Sequence, residues 1–225
     1  MNRTQAADVL RRTGWLSATP GDFRDEVLAR CDLLHFAPGE SLFAAGDDTG
    51  GLFGVAAGSV SVFMPAPAGE MDLGHIGGPG FWTGEFAAVT GARRRVSVSA
   101  RSDCWVMRLP RASLQAIAQR QPATWSHVTT LLAENLHLAL NVIDALKRDD
   151  PAERMGRVLL NLVGDVTGPA KIMARQSELA AIAHLSRTTV NAVMADLERR
   201  GWLRQGYGVV EVIDLPALES FVQGA

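Results

Sequence analysis

Short polar and cationic side chains gather at the start of a predicted helix near the end of the chain. Arg187, Thr188 and Asn191 lie on its free side, where they can reach base edges and phosphates in the major groove of DNA. Arg187 suits guanine or a phosphate, Asn191 suits adenine, and the methyl groups of Thr188 and Ala192 suit the methyl group of thymine. This group of residues predicts binding of double-stranded DNA.

Neighbouring residues add candidate contacts to the phosphate backbone, which position a protein on DNA without reading its sequence. Ser186 directly precedes the helix and joins the DNA-binding candidates. Arg199 and Arg200, at the far end, either contact phosphates or decorate a solvated helix end. The four phosphate-contact candidates are Arg175, Ser177, Thr189 and Arg204.

Two short amphipathic helices with a tight turn between them are predicted over residues 176–198, the layout of a helix-turn-helix. Ser177 can cap the first helix and Ser186 the second. Gly201 is the expected C-cap, and residues 202–212 form a predicted hairpin with a glycine-rich turn. This order of elements predicts a winged helix.

No other residues have the spacing of a catalytic or metal site. Cys31 and Cys104 stand alone, without the clustered spacing of a zinc or iron–sulfur site, and are expected to be core thiols. The five histidines are scattered, and no nucleophile is paired with a base. We therefore expect no enzymatic activity, no metal and no iron–sulfur cluster.

The composition is that of an ordinary globular protein, with 47% hydrophobic and 20% charged residues. The formal net charge of −2 argues against bulk electrostatic binding of nucleic acid, but specific recognition needs only a local basic surface. No apolar run is long enough to span a bilayer, and the first residues are not those of a signal peptide. We expect a cytoplasmic protein with no membrane partner.

Upstream, the pattern changes twice along the chain. Residues near 6–31 are predicted to be helical with a break at Pro20-Gly21, whereas residues 33–110 alternate polar and apolar positions between glycines. Such short, regularly spaced strands predict a small barrel or roll. The expected strands include residues 39–43, 58–63, 96–100 and 104–109.

A long helix is predicted over residues 122–147, and it carries two apolar stripes. One stripe packs on the chain's own β-roll, so the other is free to pair with the same helix of a second subunit. That stripe follows a heptad spacing and contains the dimerisation candidates Leu132, Leu136, Ala139, Ile143 and Leu146. Asp149-Asp150 is the expected hinge, and Ala152–Val163 forms the next helix.

The order of sensor roll, long helix and winged helix resembles the Crp–Fnr (catabolite activator-like) family of bacterial transcription regulators, and the resemblance covers nearly the whole chain. It rests on roll motifs and on a cassette that holds a cyclic-nucleotide phosphate in relatives. These segments are Phe36-Ala37-Pro38-Gly39-Glu40, Gly46-Asp47, Leu52-Phe53, Gly58-Ser59-Val60, Pro79-Gly80-Phe81-Trp82-Thr83-Gly84-Glu85-Phe86-Ala87 and Gly91-Ala92-Arg93-Arg94-Arg95-Val96.

The resemblance implies an α+β fold in three parts. Residues 1–121 would form an effector-sensing β-roll (jelly roll) of the cyclic-nucleotide-binding type, 122–149 a dimerisation helix and hinge, and 150–225 a winged helix-turn-helix. It also implies a homodimer, a pseudo-palindromic DNA operator and RNA polymerase as a partner. A haem would need a ligand near residues 81–85, where the sequence has neither His nor Cys.

In the family's effector site a Glu accepts a bond from the ribose hydroxyl and an Arg pairs with the phosphate. Glu85 and Arg94 match these positions. If the strand begins at Arg94, this side chain points inward and needs an anion, either a ligand phosphate or Glu85. If the strand begins later, residues 93–95 form a solvated turn. The effector-site candidates are Trp82, Gly84, Glu85, Phe86, Arg94, Arg95 and Val96.

Several positions depart from the family pattern. Arg93 replaces a Pro, and the bulky Arg95 and Val96 follow the phosphate Arg and could crowd it. Ala139 and Leu140 stand where relatives use hydroxyl residues to reach the base. A cyclic nucleotide, another small effector and no effector therefore all remain open.

The recognition helix departs as well. Relatives that bind TGTGA-like half-sites carry Arg, Glu and Arg there, and this chain keeps only the first, as Arg187, with Thr188 and Ala192 at the other two positions. We therefore expect a different operator.

The main hypothesis is a homodimeric, sequence-specific transcription regulator controlled by a small effector. The alternative is a small-molecule-binding module whose C-terminal domain contacts proteins rather than DNA. The two differ in salt dependence, because binding through several phosphates weakens steeply as salt rises.

Overall fold

The computed structural model describes residues 1–48, 50–66, 69–164 and 168–224. Packing divides them into two units. One contains Met1–Met71 and Ile76–Leu136, and the other contains Asp72–His75 together with the chain from His137 onward. Among the described residues, none of the helices combines the length and the apolar character that crossing a bilayer requires.

The first unit begins with three helices, α1 (Arg3–Leu10), α2 (Gly14–Ser17) and α3 (Gly21–Ala29). The predicted break at Pro20-Gly21 is confirmed, because Pro20 is the N-cap of α3. These helices pack with α5 (Arg111–Arg120) and the start of α6 (Thr124–Leu146) in one apolar cluster. Its fully buried members include Leu10, Trp15, Phe23, Leu114, Ile117, Val128 and Leu131.

Two four-stranded sheets form the predicted roll. The first has the order β1-β8-β3-β6 and the second β2-β7-β4-β5. A second cluster of apolar side chains joins them, with Phe43, Val60 and Val98 from one sheet facing Phe53 and Val106 from the other. The strands are β1 (Asp32–Phe36), β2 (Ser41–Phe43), β3 (Leu52–Ala57), β4 (Val60–Pro65), β5 (Met71–Gly77), β6 (Trp82–Thr83), β7 (Ser97–Ala100) and β8 (Cys104–Leu109).

One short helix interrupts the roll. Helix α4 (Glu85–Thr90) follows β6 directly and is flanked by Gly84 and Gly91, which both adopt positive φ. Strand β7 begins only at Ser97, so of the two predicted alternatives the strand that starts after Arg94 is the one present. The chain before it turns through residues 91–96 and returns from α4 to the second sheet.

The second unit contains the end of α6 and a winged helix. Its elements are α7 (Pro151–Val163), β9 (Ala170–Ile172), α8 (Gln176–Ala183), α9 (Arg187–Arg199), β10 (Leu203–Gly206), β11 (Val209–Val212) and α10 (Leu215–Gln223). The predicted hairpin is confirmed as β10 and β11. The sequence did not reveal β9, the third strand of this sheet, or α10, which packs so closely on α7 that a Cβ at Gly156 would lie 2.6 Å from Val222.

The caps of the helix-turn-helix follow the prediction in part. Ser186 caps α9, since its hydroxyl accepts the Thr189 N–H at 3.1 Å. Ser177 does not cap α8: the N-cap is Arg175, whose N–H donates to the Glu178 carboxylate at 2.7 Å. In the turn, His184 takes φ of +49°, a left-handed conformation that His tolerates better than most residues.

Candidate effector pocket and nucleic-acid interface

Arg94 is buried inside the roll although it lies outside any strand. It is only 4% exposed, whereas its neighbours Arg93 and Arg95 are exposed. The predicted alternatives are therefore both partly right, since residues 91–96 form a turn and yet Arg94 points inward. The backbone explains this, because the Arg94 N–H donates to the Asp47 carbonyl and the Arg94 carbonyl accepts from Gly46. These two bonds turn the side chain toward the core.

The guanidinium of Arg94 is only partly satisfied. One nitrogen, Nη2, donates to the Gly51 carbonyl at 2.9 Å, and the group stacks on the Phe43 ring with its carbon 4.2 Å from the centroid. The other two nitrogens, Nε and Nη1, are buried without a hydrogen-bond partner among the described residues. Burial lowers the pKa of Arg94, although a guanidinium stays charged at neutral pH. A buried, charged donor pair of this kind calls for an anion.

The close approach of the Arg94 guanidinium to the backbone requires a glycine, Gly84, at this position. It adopts φ of +98°, and a Cβ built on it would lie 2.4 Å from both Arg94 Nη1 and the Gly51 carbonyl oxygen. Any side chain there would push the guanidinium out of place. Glycine therefore leaves the space that Nη1 occupies, and it is the N-cap of α4.

Glu85 supplies the acceptor of the pocket. It is 7% exposed, and its Oε2 has no hydrogen-bond partner among the described residues. Burial raises the pKa of Glu85, against the opposing effects of its own backbone N–H, the Asn135 side chain and the charge of Arg94. Because Oε2 and the two guanidinium nitrogens are all unpaired, Glu85 does not satisfy Arg94 through these atoms. Donor and acceptor both remain available to a ligand.

Asn135, which the sequence analysis missed, joins this pocket to the long helix. Its side chain donates to the Trp82 carbonyl at 3.1 Å and lies close enough to Glu85 to lower the pKa of that carboxyl. Nothing local marks this residue, because Asn135 lies on α6, some fifty positions from Trp82 and Glu85. A ligand that binds Glu85 thus acts on a group that lies beside α6.

Four of the effector-site candidates occupy other environments. Trp82 lies in the core: it is 1% exposed and packs edge-on against Trp15, with ring centroids 5.6 Å apart. Arg95 does not crowd Arg94, because its guanidinium lies over the exposed Phe86 ring on the outer surface of α4. Val96 is half-buried just before β7. Only Gly84, Glu85 and Arg94 form the buried cradle.

The titration of Glu85 gives a test of this environment. Because burial raises the folded-state pKa, the protonated carboxyl contributes stability that is lost as pH rises through that pKa. Glu85→Gln should therefore raise the ligand-free melting temperature by about 2–6 °C at about pH 8, and the gain should vanish near pH 4. Glu70→Gln, a change at an exposed glutamate of the same unit, should show no such trend. A pH-independent difference would contradict a strained, buried carboxylate.

The DNA-binding candidates lie together in the second unit. Arg187, Thr188 and Asn191 are exposed on α9, while Val190, Met194 and Leu197 bury the opposite face of this helix. The other candidates occupy nearby termini and the wing. Arg175 and Ser177 are exposed at the start of α8, Ser186 and Thr189 close the start of α9, and Arg204 is exposed on β10.

Cations at the far end of α9 have partners of their own. Arg199 and Arg200 both pair with Asp196 at 2.7 Å, and Arg200 also stacks over Trp202. These ion pairs favour the interpretation in which Arg199 and Arg200 decorate a solvated helix end rather than contact phosphates. Arg204 instead shares Glu211 with Lys171, a residue that the sequence analysis did not single out.

A chain of side-chain bonds fixes the wing to both helices. The Glu198 carboxylate on α9 accepts from the Gln205 N–H at 2.8 Å and from its side-chain amide at 2.9 Å. Gln205 in turn accepts from Gln176 of α8 at 2.7 Å. These bonds to Gln205 hold the pKa of Glu198 below its usual value. The wing and the two helices are therefore held in a defined arrangement.

The predicted seam on α6 is largely uncovered in the single chain. Leu136 is 57% and Ile143 54% exposed, Ala139 is exposed, and Leu132 and Leu146 are half-buried. The second stripe is covered, with Leu131, Val142 and Ala145 buried. The single chain therefore leaves an apolar row exposed along α6.

Comparison with known proteins covers both units. Residues 33–121 match the cyclic nucleotide-binding domain and residues 153–221 match the Crp-like helix-turn-helix domain. The chain is 32% identical to the cyclic AMP receptor protein of Thermus thermophilus over 189 residues, which is 84% of this chain and 87% of that one. It is 26% identical over 203 residues to the CRP-like cAMP-activated global transcriptional regulator of Mycobacterium tuberculosis, covering 88% and 91%.

The chain is also similar to solved structures of the same family. A CRP/FNR-family transcriptional regulator from Thermus thermophilus matches with a TM-score of 0.64 at 25% identity, covering 85% of this chain and 98% of that one.

Proposed function

The chain belongs to the Crp–Fnr family, DNA-binding transcription regulators with an effector-binding domain of the cyclic-nucleotide-binding type, and from this we propose that its effector is a cyclic nucleotide held by Arg94 and Glu85. The family consists of regulators rather than enzymes. The interpretation in which the C-terminal domain contacts only proteins is set aside, because that domain is Crp-like.

The unpaired polar atoms of the pocket carry this proposal. Arg94 Nε and Nη1 offer two charged donors for a phosphate, and Glu85 Oε2 offers an acceptor for a ribose hydroxyl. A cyclic nucleotide presents a phosphate next to a ribose hydroxyl, so it can accept from Arg94 and donate to Glu85. The names of the relatives, a cyclic AMP receptor and a cAMP-activated regulator, support the same choice.

Two departures from the family pattern have different consequences. Arg95 lies on the outer surface and leaves the phosphate position free. Ala139 and Leu140, where relatives carry hydroxyl residues, cannot hydrogen-bond to a purine edge. We therefore expect cyclic AMP and cyclic GMP to bind with affinities within about ten-fold of each other, since a lost neutral hydrogen bond is worth about 0.5–1.5 kcal/mol.

Ligand entry requires local movement, and this gives a basis for control. The unpaired nitrogens of Arg94 are shielded from solvent, so an anion reaches them only when neighbouring backbone shifts. A ligand hydroxyl would also bond to Glu85, which lies beside Asn135 on α6. An effector that favours one arrangement of α6 would alter DNA affinity by about 5–150-fold, the usual range of allosteric coupling.

We further propose a homodimer joined along the α6 stripe. Two recognition helices related by a two-fold axis then require a pseudo-palindromic operator, with half-sites about 34–36 Å apart as in helix-turn-helix dimers generally. RNA polymerase is the expected protein partner at the promoter, since the family regulates transcription.

Arg187→Ala tests the DNA-binding face. An operator selected from a pool of random duplexes should bind the variant about 1–3 kcal/mol more weakly if Arg187 reads a base. Fluorescence anisotropy with and without saturating cyclic AMP measures this change and the allosteric effect in one experiment. Arg12→Ala, an exposed arginine of the first unit, is the matched control. Equal binding by Arg187→Ala and the control would remove Arg187 from the interface.

A further inference from the structure

One face of the wing sheet carries three charged side chains in line across three strands. Glu211 on β11 is paired with Lys171 on β9 and with Arg204 on β10, so the carboxylate lies between two cations. Side chains alternate between the faces of a sheet, and the residues of the opposite face fill the core. These buried neighbours are Ile172, Leu203, Val210 and Val212.

The ion pairs of this face are loose. Lys171 Nζ lies 4.0 Å from Glu211 Oε1, and Arg204 Nη1 lies 3.6 Å from Oε2. Each carboxylate oxygen therefore faces one cation without a hydrogen bond. The two cations are about 70% exposed and the carboxylate 29%, so both cations extend beyond the carboxylate into solvent. Such pairs are screened and easily exchanged for another anion.

The same sheet is joined to the start of α8. Gln205, next to Arg204, bonds to Gln176 at 2.7 Å, and Gln176 follows the exposed Arg175. The first helix of a helix-turn-helix crosses the DNA backbone. The charged face of the wing is thus a neighbour of an element that lies at the phosphates.

We propose that Lys171 and Arg204 contact DNA phosphates and that Glu211 is their internal counter-ion, which lowers the affinity of the protein for DNA of any sequence. The inference rests on the DNA-binding function proposed above and deepens it. Two cations and one carboxylate leave a single net positive charge on this face. A phosphate that pairs with either cation competes with Glu211 for it, so base contacts supply a larger share of the binding energy.

Glu211→Gln is the direct test, because it removes the charge and keeps the shape. Fluorescence anisotropy over a salt series would use two labelled duplexes of about 30 base pairs, about three helical turns, one random in sequence and one a selected operator. The variant should bind the random duplex about three-fold more tightly for each wing that contacts it. The slope of log affinity against log salt should steepen by up to about 0.9 per wing. The ratio of operator affinity to random-duplex affinity should fall.

Glu219→Gln is the matched control, since it makes the same charge change at an exposed position on α10. Equal effects of the two variants would mean that only net charge matters and would overturn the proposal. Weaker DNA binding by Glu211→Gln, with a lower melting temperature, would instead identify Glu211 as a cross-strand stabiliser of the sheet.

A second comparison tests the cations. Lys171→Gln with Arg204→Gln should weaken binding to both duplexes, and adding Glu211→Gln to that background should change nothing further. A tightening that persists without the two cations would contradict their role. If the unmodified protein binds neither duplex, the DNA-binding function itself fails. If it binds both and Glu211→Gln behaves like the control, only the counter-ion role fails.

Discussion

Arg94→Gln should abolish measurable binding of a cyclic nucleotide, lowering its affinity by at least about 100-fold. The variant removes the two unpaired, charged donors of the pocket, and hydrogen bonds to charged groups are worth about 1.5–3 kcal/mol each. The ligand phosphate would then be buried without a cation, which costs several kcal/mol more. The neighbouring Arg93 and Arg95 do not replace it, because both are exposed.

Thermal unfolding measures this effect and does not require an operator. A ligand at about 100 times its dissociation constant stabilises a folded protein by about 2.7 kcal/mol, so we expect cyclic AMP to raise the melting temperature of a chain of this size by about 5–10 °C. The Arg94→Gln variant should show no rise. Arg93→Gln removes the adjacent charge from an exposed side chain, 3.8 Å from Asp48, and should respond like the unmodified protein. A full response from Arg94→Gln would place the ligand elsewhere.

The double substitution Leu136→Glu and Ile143→Glu should convert the protein to monomers. The two side chains are one heptad apart on the uncovered stripe of α6, more than half exposed in the single chain. In a dimer this change would bury four carboxylates against apolar neighbours, and we expect dimer affinity to fall at least about 1000-fold. Operator affinity should fall with it, because a monomer holds only one half-site.

Sedimentation would report the change directly, with the mass falling from about twice 24.1 kDa to that of one chain. The double substitution Thr130→Glu and His137→Glu is the matched control. These exposed residues are also seven apart on α6 and lie outside the stripe, so this double variant should remain dimeric. Monomers in both cases would mean that added charge, rather than the stripe, decides assembly. Dimers in both would move the interface off this helix.

The sequence predicted those parts of the fold that depend on local pattern. The roll, the long helix and the winged helix follow from alternation, helical spacing and turn residues, and each is present. The cap of α8 was misplaced by two residues, because the Glu178 carboxylate satisfies the Arg175 N–H and a serine cap is not needed there. Helix boundaries depend on such competing local bonds.

The site was predictable only where a family motif marked it. Glu85 and Arg94 were found in this way, but the unpaired state of their polar atoms depends on Gly51, Phe43 and Gly84, which converge only in the fold. Trp82 was named as an effector-site candidate because an aromatic residue beside a glycine has no pattern that distinguishes stacking on a ligand from packing in the core. In the structure Trp82 packs against Trp15, so it is a core residue.

Contacts between residues far apart in the sequence could not be predicted, because such residues meet only in the folded chain. Asn135 is polar on a mostly apolar helix, and nothing in the sequence pairs it with Glu85. The position of Lys171 beside Glu211 required β9, a three-residue strand too short to show alternation. Both residues matter to the proposed function because they connect elements that the sequence could only predict separately.

Isothermal titration of the purified protein with cyclic AMP, repeated with cyclic GMP, tests the central claim most directly. Saturable heat with one site per chain, lost in Arg94→Gln and retained in Arg93→Gln, is the result that we predict if Arg94 and Glu85 bind the nucleotide. The absence of heat from folded protein at high concentrations of both nucleotides would contradict the assignment of a cyclic nucleotide to Arg94 and Glu85.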